Sequence, residues 1–477
     1  MKINNSGKNE FGSERNFYPC ALGFAIAIGA DNGLAALQSS MNVKGGIGTN
    51  SLLVKTTAAI IGSLIVVPVV LQRYGPKVAL IIGVILNIFV TLANFYPVWY
   101  TMYSTAFFAG IGMSCAWVGC SVIIQSIASN ADMHQDVDSS SQKYFGMFLA
   151  ILSLAQVFTN IVTQMILDWN NIARYIGNFV DGGSNHSSTF LPYNITSDHL
   201  LTCGARDCPI EYSFRKTSGK FSVLIPDQTL LQVLLVVHVL MHIVGAAIHY
   251  FFIKGTSYAT EQVENIPSMT QPLLTDESSD LLSSIKKRFK YATSLQELLT
   301  WPVKLLFGIT IAYIWTEHNR AFVSCVVGVD KVGICTAIVD IMSFATSLVI
   351  SKNSKTIGLP VIFTVGLVYD LINYTCSLLW RPTVSTKFVS YILSVTFGIT
   401  HGIRRNISFL VTAAHSPDKD TGFTIQVLLH FLGIVINTAW SIPLCVSVKI
   451  YINISLTIIA TLCWSIAKVL LNRDKLP

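Results

Sequence analysis

The chain has 477 residues, of which only 12% are Asp, Glu, Lys or Arg, about half the share in ordinary soluble proteins. With 52% hydrophobic residues, 11% aromatics and a mean hydropathy of +0.56, there are too few charges to clothe a water-soluble globule, and lipid is the solvent the composition fits. Ten cysteines are too sparse for a disulfide scaffold, and the net charge of +7 sits mostly in short links between apolar runs, a mark of membrane topology rather than of nucleic-acid binding.

Residues 1–16 form a polar leader without a small-residue cleavage site, so the first apolar run reads as a retained helix. Runs of roughly 20 apolar residues, the length that crosses the hydrocarbon core as a helix, fall in the first half at Phe17–Leu37, Ser51–Leu71, Val78–Phe95, Trp99–Ile127, Tyr144–Leu167 and Gln228–Ile253. Six more fall at Trp301–Trp315, Val332–Ser351, Ile357–Trp380, Phe388–Ser408, Phe423–Val446 and Lys449–Leu471. The seventh is short because Glu317, His318 and Arg320 interrupt it. The expected architecture is all-α, about twelve transmembrane helices in two halves: a bundle over 17–253, a charged cytosolic linker over 254–300, a second bundle over 301–471 and a tail over 472–477.

Turns recur in register between the halves. LQRYGPK after the second helix matches SKNSKTIG after the eighth, and NFYPVWYT after the third matches LLWRPTVST after the ninth, as a parallel repeat would give. Lys and Arg are two to three times as frequent in one set of short loops, with Lys44, Lys55, Arg320, Lys331 and Lys449 counted in the poorer set, which puts both termini in the cytosol. The loop 168–227 then faces the exterior or a lumen. It carries two glycosylation acceptors, Asn185 and Asn194, which require that compartment. It also carries CGARDC, where Cys203 and Cys208 are spaced to close a small disulfide loop; a metal site is the alternative, but no neighbouring His or Cys completes four ligands.

Several of these blocks carry a family likeness. LQSS at Leu37–Ser40 with GIGTNSLL after it, NFYPVWYT at Asn94–Thr101, QKYFGMFL at Gln142–Leu149, CGARDC and the WRP of Trp380–Pro382 resemble the uncoordinated-93-like proteins, a branch of the major facilitator superfamily. The resemblance implies a twelve-helix facilitator fold. It also implies partnership with other membrane proteins: regulation of two-pore potassium channels in one branch, and trafficking of nucleic-acid-sensing receptors in another. The chain departs from the pattern in the tenth helix (GIRRNISFL), in the eleventh (IQVLLHFL), and in the eighth, where the acid is Asp340, one turn before Ser343. LQRYGPK keeps Arg73, Gly75 and Lys77 of the facilitator loop motif but lacks its acid.

Asp31, mid-helix beside Asn32, is the foremost candidate for a substrate or proton site, because an ionised carboxylate inside a membrane must pair or face water; a structural hydrogen bond weighs equally. His238, His242 and His249 share one face of the sixth helix, and packing weighs more there than metal binding or proton relay. Asp340 and Asp370 are further buried acids, with Asp330 and Lys331 at the mouth of the eighth helix. Asp340 has Arg404 or Lys304 as prospective partners, while Arg404 and Arg405 read as snorkelling at the cytosolic interface. Trp117, Gln125 and Gln156 are cavity candidates set against ordinary packing. The acidic stretch Asp132–Asp138 lacks the Gly and terminal Glu of a calcium loop and reads as a solvated turn. No nucleophile elbow, P-loop, dinucleotide or zinc-protease motif occurs, so no enzyme, cofactor, metal or nucleic-acid partner is expected. The leading expectation is an accessory or trafficking regulator of another membrane protein, a potassium channel or a receptor, at the plasma membrane or an endomembrane. The alternative is a secondary transporter of a small organic solute or cation with Asp31 as its coupling acid. A channel pore ranks third, for want of a selectivity-filter sequence.

Overall fold

The computed structural model describes residues 14–42, 47–131, 137–167, 200–208, 228–254, 290, 292–328, 331–353, 355–416, 419–441 and 443–473. Asn185, Asn194, Asp330 and the acidic stretch at 132–136 lie outside them. The described residues hold helices and no strand.

A 3-10 turn at Glu14–Asn16 leads into α1 (Phe17–Met41). The next two spans are continuous in helical hydrogen bonding: Ile47–Ile61, a π turn at Gly62–Val66, then Val67–Ala93. Gly75 divides them with φ 76° and ψ 173°, a conformation that a side chain would strain. Pro76, whose ring fixes φ for a helix start, opens the second, so α2 covers 47–74 and α3 covers 76–93. Then follow α4 (Trp99–Ala131), α5 (Val137–Leu167) and α6 (Gln228–Phe252). The second half has α7 (Leu295–Tyr313, prolonged by π turns at Ile314–Ser324 and a last turn at Cys325–Val327), α8 (Val332–Lys352), α9 (Leu359–Leu379), α10 (Val389–His415), α11 (Lys419–Ser441) and α12 (Val446–Arg473). Among the described residues, nine helical stretches are long and apolar enough to cross a membrane, one of them the 44-residue Asn50–Ala93. Dividing that one at Gly75 and adding α1 and α10, of 25 and 27 residues, is consistent with twelve spans.

Within the first half, α1 packs on α6 and α5, and α3 on α4; within the second, α7 packs on α11 and α12, and α10 on α8 and α9. The halves meet along α5 with α8 and α10, and along α11 with α2 and α4. Near the end where α1 begins, the seam is tight: Gln142 Nε2 donates to the carbonyls of Ile350 (3.1 Å) and Ile357 (2.9 Å), and Ser351 Oγ to that of Lys143 (2.7 Å). Phe145 of α5 lies 5.3 Å from Phe409 and 5.4 Å from Phe423, between ring centroids. Large apolar side chains such as Phe89, Phe108, Leu240, Phe251 and Leu462 point outward, as a lipid-facing surface requires.

The seventh span is longer than its charges suggest, because those charges are paired. Glu317 takes Lys449 Nζ at 2.8 Å, Arg320 Nη2 at 2.9 Å and the Ser441 hydroxyl, so the helix runs on to Val327. Lys449 is therefore fully buried at the start of α12 and does not belong to an outer loop. The same network reaches Asp207, 3.3 Å from Arg320 Nε, and it explains a second correction. Cys203 and Cys208 are disulfide-bonded, but not to each other: Cys203 joins Cys325 at the end of α7, and Cys208 joins Cys445 before α12. Gly204–Arg206 forms a 3-10 turn between them that turns the two sulfurs to different partners. The 200–208 segment, which follows the first half's α5 in sequence, is thus stapled to the second half.

Candidate functional site

A cavity of about 90 Å³ lies between the halves, walled by α1, α2, α4 and α5 on one side and α7, α10 and α11 on the other. Of the residues singled out in the sequence, Asp31, Asn32, Trp117 and Gln156 line it. Asp31 is 4% exposed and ion-paired with Lys55 of α2. Lys55 is thus an interior residue, not an outer-loop charge: the second span begins at Ile47, two turns before it. Trp117 sits edge-on to Phe24 at 4.9 Å and lies tilted against His430 at 6.2 Å.

The opposite wall is built by residues that spacing did not single out for a cavity. His401 and Arg405 come from α10, Phe307 from α7, and His430 from α11. Phe307 stacks on His430 at 4.1 Å and 19° and on His401 at 6.2 Å and 28°. Arg405 is 2% exposed; its Nη1 donates to Ser153 Oγ of α5 at 3.1 Å. Neither Arg404 nor Arg405 snorkels to an interface, because α10 continues ten residues beyond them to His415 and both lie deep in the bundle.

The other candidates do not join the cavity. Asp370 of α9 is ion-paired with Arg404, both fully buried. Lys304 pairs with Glu297 two turns back on α7. The expected partnership of Asp340 with Arg404 or Lys304 is therefore not formed; Asp340 Oδ2 accepts from Asn160 Nδ2 at 3.0 Å across the α5–α8 seam. Gln125 ties α4 to α5 through Ser141 at 3.2 Å. His238, His242 and His249 are fully buried against α1: His238 and His242 bond carbonyls one turn back at 2.8 Å, and His249 meets the Cys20 carbonyl at 3.3 Å. Among the described residues no cluster of His, Cys, Asp and Glu could hold a metal ion. In the facilitator-like turn, Gly75 makes the reversal and Lys77 Nζ donates to the Ile253 carbonyl at 2.6 Å, satisfying the free end of α6.

What was missed was pairing and depth. Lys55 carried a signal, as a charge four residues inside an apolar run. Arg405 was hidden by its neighbour, since two adjacent arginines suggest a helix end.

This is the fold of the major facilitator transporters. The E. coli xylose transporter XylE superposes with a TM-score of 0.58 at 12% identity, over 94% of this chain and 96% of that one. The E. coli fucose:proton symporter gives 0.52 at 13% identity, over 93% and 97%. No protein-family model matches the chain. By sequence it is similar to the unc-93 proteins along nearly its whole length. It is 26% identical to protein unc-93 homolog A of Xenopus laevis over 94% of this chain and 91% of that protein, and 24% identical to the Homo sapiens homolog over 94% and 92%. It is also 22% identical to the "Putative potassium channel regulatory protein unc-93" of Caenorhabditis elegans, over 92% of this chain and 58% of that longer protein.

Proposed function

We propose that this multipass membrane protein acts as an accessory or trafficking regulator of another membrane protein, with a potassium channel as the first partner to test. The name of the Caenorhabditis elegans relative supplies the channel. The structural observation that supports a regulator over an ion-coupled transporter is the state of the interior acids. Asp31, Glu297, Glu317 and Asp370 are each paired with a lysine or arginine, so Asp31 is engaged rather than open to a coupling cation; among the described residues Asp340 makes no ion pair within 4 Å and accepts from Asn160.

In this reading both termini are cytosolic, loop 168–227 is outside and glycosylated at Asn185 and Asn194, and residues 254–300 link bundles 17–253 and 301–471 on the cytosolic side. The chain is not an enzyme and needs no cofactor. The partner docks within the plane of the bilayer, at the plasma membrane or an endomembrane. Co-expression with potassium channel subunits tests the reading. The chain should co-purify with a channel in mild detergent and change its whole-cell current at least about twofold, a population shift of under 1 kcal/mol. Repeated recovery of the chain alone, with channel currents unchanged, would count against it.

A further inference from the structure

Two blocks far apart in the chain, CGARDC and the WRP that follows α9, meet at the end of the bundle opposite the start of α1. Cys203, Ala205 and Arg206 of the first and Trp380, Arg381 and Pro382 of the second line one cavity of about 110 Å³, which shares no lining residue with the cavity between the halves. Gly204 lets the blocks touch: its φ of +73° is one that a side chain would strain, and a Cβ built there would stand 3.4 Å from Pro382 Cγ. Both walls are fixed in advance. Arg206 lies between two half-cystines joined to Cys325 and Cys445, and the Asp207 carbonyl takes the Val446 N–H at 3.0 Å. Beside Arg381, Trp380 stacks on Phe322 at 6.3 Å and 21°, and its Nε1 donates to Thr386 Oγ1 at 3.4 Å. A backbone held this way has little ordering left to lose when a ligand binds.

The charges at this end do not cancel. Among the described residues its acids are Asp207 and Glu317, and Arg320 and Lys449 match them. That leaves Arg206 and Arg381, both exposed and neither in an ion pair or hydrogen bond among the described residues; no acid lines the cavity they share. The planar donor fork of a guanidinium matches the oxygens of a phosphate. The place is also a membrane boundary. The apolar span of α9 ends at Leu379, and Trp380 follows it, where interfacial tryptophans gather. Leu379 is 72% exposed and Leu201, which lines the cavity with Leu378, is 59% exposed, so hydrocarbon reaches the rim beside the arginines. The space is well below the roughly 300–1,000 Å³ of drug-sized pockets and suits one charged group.

We propose that this cavity binds the phosphate of an anionic phospholipid, its oxygens held between Arg206 and Arg381 and its acyl chains laid against Leu201 and Leu379. A zwitterionic head group fits less well, because its cation would meet two arginines and no acid. The proposal does not depend on the channel partnership, because its readout needs no partner protein.

The test is native mass spectrometry of the delipidated full chain in detergent, titrated with phosphatidate, phosphatidylcholine and diacylglycerol of the same acyl chains and with soluble glycerol 3-phosphate. Phosphatidate should bind saturably and more tightly than phosphatidylcholine, and the diacylglycerol and the glycerol 3-phosphate should not bind over the same range. Changing both arginines, Arg206→Gln with Arg381→Gln, should weaken the tightest phosphatidate site at least about tenfold. Lys352→Gln with Lys355→Gln, in the exposed basic turn between α8 and α9 at the other end of the bundle, should leave it unchanged. Equal binding of phosphatidate and diacylglycerol, or an equal loss in the two double variants, overturns the proposal. Glycerol 3-phosphate binding as tightly as phosphatidate would make the ligand a soluble phosphoester and overturn the lipid. Should the arginine variant fail to fold, a photoactivatable phosphatidate on the unmodified protein decides: crosslinks should fall in peptides carrying Leu201 or Leu378, and crosslinks confined to other peptides overturn the site.

Discussion

Removing one member of a buried ion pair leaves its partner charged and unsatisfied, which costs far more than the net worth of the pair. Arg404 and Asp370, at 1% and 2% side-chain exposure, are such a case. Arg404→Met should destabilise by about 3–5 kcal/mol, and the double change Arg404→Met, Asp370→Leu should recover most of it, because two apolar side chains of similar volume leave nothing unpaired. Thermal unfolding in detergent measures both; a double variant less stable than either single one would refute the account. Asp31 was legible in the chain as an intramembrane acid. Its partner, 24 residues away on another helix, was not, since hydropathy reports how deep a charge lies but not which charge faces it.

Helices meet where the chain lacks side chains. A Cβ at Gly23 of α1 would fall 2.6 Å from the His249 ring and 3.0 Å from the Gly245 carbonyl of α6, so the imidazole occupies the notch that glycine leaves. Gly23→Val should push α6 away and lower stability by about 1–3 kcal/mol, visible as a lower unfolding temperature, with partial recovery on adding His249→Ala. A Gly23→Val protein that unfolds with the wild type would show that the notch is not closely filled. The histidine stripe was visible as a shared face, yet its role depended on what α1 put opposite. The cysteines teach the same lesson at the end of the bundle opposite the start of α1. Five residues of spacing suggested a local loop, but the turn at Gly204–Arg206 directs Cys203 and Cys208 to Cys325 and Cys445. Non-reducing digestion should release one peptide pair joining Cys203 to Cys325 and another joining Cys208 to Cys445. Each long-range link contributes about 2–5 kcal/mol, and a peptide with Cys203 bridged to Cys208 would contradict the arrangement.

At the scale of the whole molecule, the two halves are held at the α1-start end by the α5–α8 seam, while at the opposite end a segment following α5 is fastened to α7 and α12 by two disulfides and the Asp207–Arg320–Glu317–Lys449 network. Cysteine oxidation belongs to the exterior or a lumen, which is where the orientation expected from Lys and Arg would put this end of the bundle. Membranes carrying the protein should therefore lose apparent mass on treatment with an N-glycosidase, and the Asn185→Gln, Asn194→Gln double variant should show no further shift. An unmodified wild-type protein would argue for the reverse orientation.

The chain alone determined its solvent, its helices and its facilitator-like plan, because these follow from the hydropathy of contiguous residues and from turns that glycine and proline dictate locally. Tertiary structure alone decided which lysine neutralises Asp31, which cysteines join, and that Arg404 pairs with Asp370 inside the bundle. Those outcomes depend on residues brought together from helices far apart in sequence, and charge or sulfur in a string of letters carries no direction.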